Sequence, residues 1–150
     1  MASTTTGRIV VGVDGSDLSA AALAWAADEA RRRDVGLHVV TCWGYPTMAF
    51  SLYQLSISGE DFERDARAAA ETEVEQVLGV DHHGLVVTVE ALQGPASLGL
   101  LEFDRSAEML VVGSRGRGGF AGLLLGSVSQ YLAEHARCPV VVIHGPREDE

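Results

Sequence analysis

A chain of 150 residues, 47% of them apolar, is long enough to bury a substantial core without disulfide or metal staples. Its formal charge of −10 argues against non-specific nucleic-acid binding, which needs a basic surface; acidity also simply aids solubility. No apolar run approaches the roughly 18 residues needed to cross a bilayer, and the abundance of valine, alanine and leucine suits an α/β domain with a buried parallel sheet.

Met1–Gly7 is small and polar, without the basic and apolar regions of a signal peptide. The two cysteines, Cys42 and Cys138, lie far apart and in no C-x-x-C pair, so a reducing, cytoplasmic setting is expected. Arg8–Asp14 reads as a first, central strand that stops at the turn Asp14-Gly15-Ser16. Ser16 or Asp17 caps the helix that follows, which runs to about Arg33, with Arg31–Arg33 suiting its C-terminal dipole. Leu37–Trp43 is a second strand. Gly44–Ser58 then carries Pro46, three aromatics and no charge; a loop this long either folds over a ligand, packs on a partner or is a plain connection.

A helix is expected from about Glu60 to Leu78, with Phe62, Ala66, Ala69, Ala70, Val74 and Val77 near helical spacing and acids and arginines interleaved. Asp81-His82-His83-Gly84 is a turn, because consecutive residues do not converge easily on one metal ion. Leu85–Leu92 is a third strand whose partial alternation places it near a sheet edge. Gly94-Pro95 opens a helix to about Asp104, weakened at Gly99 by about 1 kcal/mol relative to alanine. Met109–Gly113 is a fourth strand, Ser127–Ala136 a helix and Val140–Ile143 a fifth strand, before an acidic tail from Gly145. Strands alternating with helices predict one doubly wound parallel α/β domain with about four helices and an ordered core from about residue 8 to 144.

The most informative stretch is Met109–Ser129, an apolar strand delivering a glycine-rich loop to a new helix, the arrangement that turns backbone amides toward an anion. A Walker A loop is excluded, because all 11 basic residues are arginine. Gly116, Gly118 and Ala121 match G-x-G-x-x-A, but no helix opens within them and no acid follows about twenty positions on to hold a ribose. What fits is Gly113-x-x-Gly116, then nine residues, then Gly126-Ser127. This resembles the nucleotide-binding motif G-x2-G-x9-G-[ST] of the universal stress protein family. The agreement continues through Val128, Ser129, His135-Ala136, Cys138-Pro139 and Val140–Ile143, and Ile9–Ser16 resembles the family's first strand and turn.

The resemblance spans roughly Arg8 to His144 and implies a strand order of 3-2-1-4-5. The first and fourth strands then sit side by side where the winding reverses, the usual ligand crevice of such sheets. Carried onto this chain, the family pattern puts Gly12, Val13 and Asp14 at the nucleoside end and Cys42 in the adenine pocket. It puts Val112 and Gly113 beside the ribose, Arg115 and Gly116 at the phosphates, and Gly126, Ser127, Val128 and Ser129 at the helix N-terminus. Arg117 adds a second positive charge. The implied ligand is ATP or another adenine nucleotide, with Mg²⁺ as its candidate companion.

Each of these residues alone has a plain structural explanation as a turn, cap or packing glycine; their joint spacing favours nucleotide. No catalytic constellation is visible, and Cys42 has no evident base or cation to activate it. Three readings stand: a nucleotide-binding stress or regulatory protein, a weak ATPase using Asp14 in the same pocket, and an interaction module without nucleotide. The resemblance also implies a homodimer through the Val140–Ile143 edge.

Overall fold

The computed structural model describes residues 7–44, 59–116 and 124–145. In chain order these form β1 (Arg8–Gly12), α1 (Asp17–Arg33), β2 (Gly36–Trp43), α2 (Gly59–Leu78), β3 (Val87–Gln93), α3 (Ala96–Leu101), β4 (Met109–Gly113), α4 (Ser127–His135) and β5 (Val140–Ile143). The five strands make one parallel sheet in the order β3-β2-β1-β4-β5, as expected.

Alternation along the central strand divides the core in two. Ile9 and Val11 of β1 face α1 and α2, packing with Ala22, Ala26 and Val74, whereas Val10 faces α3 and α4 with Leu100, Leu110 and Leu132. All three β1 residues are fully buried, because helices cover both faces of a parallel sheet. Ala22, Ala26, Ala27 and Ala30 of α1 are equally buried and let that helix lie close on the strands. Ser16 caps α1 by accepting the Ser19 N–H, and the helix ends at Asp34 in the left-handed region, φ 56°.

Four expectations are corrected. β1 stops at Gly12 rather than Asp14, although Val13 N–H still donates to Val40 O at 2.9 Å. β3 spans Val87–Gln93 rather than Leu85–Leu92, at the sheet edge as its alternation suggested. α3 ends at Leu101, short of Asp104, because the amides of Phe103 and Asp104 reach back three residues, to Leu100 and Leu101, in turns. On α2, Ala69 is exposed, and Glu73 joins Ala70, Val74 and Leu78 on the buried face.

The long loop expected over Gly44–Ser58 lies outside the described residues from position 45 onward, as does the tail from 146. Among the described residues, no helix is long and apolar enough to cross a membrane.

Candidate functional site

β1 and β4 are neighbours, yet the helix after β1 packs on one face of the sheet and the helix after β4 on the other. Beyond their carboxyl ends the chain parts and leaves a crevice, a cavity of about 240 Å³. The structure brings every residue singled out from the sequence and described here to its lining: Gly12, Val13 and Asp14 from β1 and its turn, and Cys42 from β2. Val112, Gly113, Arg115 and Gly116 come from β4 and its loop, and Gly126, Ser127, Val128 and Ser129 from the start of α4. Arg117, and residues 117–123 with it, lie outside the described residues.

The floor is apolar. Val40, Leu100 and Val112 are buried, and Ala96 and Cys42 complete it. A Cβ on Gly99 would lie 2.9 Å from Cys42 Sγ, so the glycine that weakens α3 also lets it close over this floor. Burial pushes the Cys42 thiol up to about 11, with the negative charges of Glu102 and Glu90 adding to the effect, so the thiol stays protonated at neutral pH. Cys138 is raised as well, by burial and by Asp104.

The β1 wall is a hydrogen-bonded turn. Ser16 donates its N–H and hydroxyl to Asp14 Oδ1, at 3.0 and 2.6 Å, and accepts the Ser19 N–H at 3.2 Å. Asp14 N–H donates to Ser19 Oγ at 3.0 Å, and the Ser19 hydroxyl donates to Glu73 Oε2 at 2.7 Å. Gly15, at φ 82°, supplies the left-handed backbone that lets this turn close.

The β4 wall is shaped by close approach. A Cβ at Gly113 would sit 2.9 Å from Leu18 Cβ and 3.3 Å from its carbonyl, so this glycine seats β4 against the first turn of α1. A Cβ at Gly116 would lie 2.5 Å from Asp14 Oδ2, so the two walls meet there. Ser114 N–H donates to Ile143 O at 2.8 Å, and Ser114 O accepts Gly126 N–H at 2.6 Å and the Ser129 hydroxyl at 2.9 Å. Gly126, not Ser127, occupies the N-cap of α4. The amides at Ser127, Val128 and Ser129 begin the helix, where backbone donors have no intrahelical acceptor and the dipole favours an anion.

An apolar floor, a carboxylate on one wall and helix-start amides with Arg115 on the other suit a ligand with a flat apolar part and an anionic part. Ser16, Ser19, Val40, Ala96, Leu100 and Ser114 line the same crevice and were not among the site residues chosen from sequence. Ser16 carried a signal as a helix cap, and Ser19 sits three positions after that cap. Among the described residues, no group of three His, Cys, Asp or Glu is placed to hold a metal.

Comparison with known proteins adds the family. Residues 5–144 match the model of the universal stress protein family. Universal stress protein Rv2624c of Mycobacterium tuberculosis is 37% identical over 137 residues, covering 90% of this chain and 47% of the relative. The chain thus spans about half the length of the curated relatives it matches. Among solved structures, universal stress protein UspA of Lactobacillus plantarum superposes with a TM-score of 0.72 at 23% identity, covering 92% of this chain and 97% of that one. A universal stress protein from Archaeoglobus fulgidus, solved in complex with dAMP, gives 0.62 at 24% identity, with 91% and 97% covered. Both likenesses establish the fold.

Proposed function

The chain belongs to the universal stress protein family, and from that premise we propose that it binds ATP or another adenine nucleotide in this crevice. Its role in stress response or regulation is then exerted through the nucleotide-bound state. The observation that carries the reading is the meeting of Asp14 and Gly116 across an apolar floor, with the glycine close enough that any side chain would press on the carboxylate. The dAMP complex of the Archaeoglobus relative supports an adenine ligand for this architecture.

In this reading the base lies against Val40, Cys42 and Leu100, and Asp14 accepts from a ribose hydroxyl or the adenine amino group. Val112 and Gly113 flank the ribose. Arg115, Gly116 and the amides at Ser127, Val128 and Ser129 serve the phosphates, with Gly126 letting them approach closely, where charge-assisted hydrogen bonds are strongest. Mg²⁺ accompanies a triphosphate as its counter-ion.

Calorimetric titration of ATP, ADP, AMP and GTP into stripped protein tests this. Saturable binding of the adenine series at one site per chain, weakened at least about tenfold by Gly126→Ala, is expected. Absence of binding at millimolar concentration overturns it.

We also propose a homodimer through β5. Among the described residues that strand pairs with β4 alone, and an apolar edge strand invites a second one. Sedimentation equilibrium is expected to return about twice the chain mass of 15.9 kDa; a single-chain mass at all concentrations contradicts it. The unbridged Cys42 and Cys138 suit a reducing compartment such as the cytoplasm.

A further inference from the structure

We propose that Glu73 is a positioning residue of this site: through the Ser19 hydroxyl, its buried carboxylate fixes the backbone of Asp14. The functional half of the proposal rests on the nucleotide reading above; the structural half stands without it.

Glu73 lies on α2, outside the crevice lining that its partner Ser19 joins, and is only 9% exposed. Its neighbours on that face, Ala70, Val74 and Leu78, are apolar. A hydrophobic side chain there would spare the desolvation of a carboxylate, so stability alone does not account for the acid. The partner does. Glu73 Oε2 accepts the hydroxyl of Ser19, itself 3% exposed, at 2.7 Å.

The direction of that bond matters. The Ser19 hydroxyl is the donor and Glu73 Oε2 the acceptor, so the Ser19 proton points at Glu73. The lone pairs of Ser19 Oγ are then left for a donor, and one takes Asp14 N–H at 3.0 Å. A helical serine without such an acceptor can instead turn its hydroxyl onto a carbonyl three or four residues back. Glu73 gives the hydroxyl an acceptor outside its own helix.

The turn also bonds within itself. Asp14 N–H goes to Ser19 Oγ, Ser19 N–H goes to Ser16 Oγ, and Ser16 returns to Asp14 Oδ1. Glu73 ties this ring to α2 from 54 positions along the chain. Asp14 Oδ1 accepts from Ser16, and Oδ2 faces Gly116 across the crevice.

The test has two arms. In nucleotide-free protein, hydrogen exchange at the Asp14 amide is followed by NMR in wild type, Ser19→Ala, Glu73→Leu, Glu73→Gln and Val74→Ala. Exchange about tenfold faster is expected in the first two variants, with little change in Glu73→Gln, which keeps an acceptor. Val74→Ala opens the same helix interface without touching the relay and should leave that amide as in wild type.

In the second arm, adenosine and ATP are titrated into the same set. Glu73→Leu should weaken both ligands by a similar factor of about ten, because Asp14 serves the nucleoside end, with Glu73→Gln within about twofold of wild type. Unchanged Asp14 exchange in both Glu73→Leu and Ser19→Ala overturns the relay. Equal loss of affinity in Val74→Ala and Glu73→Leu overturns the positioning role. If wild type binds neither ligand, the nucleotide reading fails, and the positioning role with it, while the exchange arm still decides the relay.

Discussion

On the β1 side of the crevice, side chains hold the backbone: Asp14, Ser16 and Ser19 bond in a ring, and Glu73 anchors it from α2. On the β4 side, the absence of side chains does the shaping. Gly113 seats against Leu18 and Gly116 against Asp14, while Ser114 O gathers the Gly126 amide and the Ser129 hydroxyl. The first wall depends on which polar atoms meet, the second on how closely backbone can approach. Substitutions should therefore fail differently on the two sides: loss of a partner on one, steric intrusion on the other.

The floor between the walls gives the largest expected effect. With its thiol raised from 9.0 to about 11, Cys42 should react with iodoacetamide at pH 8 about a hundredfold more slowly than an unburied thiol, by peptide-level mass spectrometry. Nucleotide on the floor should slow it further. The sign for stability follows: above 9.0 the unfolded chain's thiol ionises while the folded one resists. Urea-unfolding stability should thus fall as pH rises from that value toward about 11, with Cys138 acting in the same direction.

Gly113→Ala comes next. The added methyl meets the Cβ and backbone of Leu18, which cannot rotate away, so a loss of about 2 kcal/mol is expected in urea unfolding. Gly116→Ala meets only the end of the Asp14 side chain. That carboxylate can move, so stability should hold within about 0.5 kcal/mol while affinity for ATP falls about tenfold by calorimetry. Equal stability losses in the two variants would remove the distinction between seating a helix and opposing a ligand wall. Ser129→Ala should cost about 1 kcal/mol by thermal unfolding, less than Gly113→Ala, because Ser114 O keeps the Gly126 amide.

The same contrast explains what the sequence revealed. The strands announced themselves as short valine-rich runs, and Gly113, Gly116, Gly126 and Ser127 announced the β4 wall, because close approach demands glycine at fixed local spacing. Strand order came from the family resemblance, since periodicity does not state which strands pair. Glu73 was not legible: a charged residue in a helix full of acids and arginines reads as solvated, and its partner lies 54 positions away. Ala69 was misplaced for a related reason, since alanine says little about which face it occupies when a glutamate takes the core position instead. The early end of α3 depended on turn bonds after Leu101 that no residue there signals as clearly as proline would.

The central claim is that the crevice between these walls is a nucleotide site, and the most direct measurement is the content of the purified protein itself. Denaturing it and chromatographing the supernatant should release adenine nucleotide approaching one per chain, or, from protein that has lost it, after incubation with ATP and desalting. Gly116→Ala prepared in parallel should carry markedly less. Wild-type protein that releases no adenine nucleotide after either treatment, and retains none at millimolar supply, would contradict the account and direct attention to protein partners.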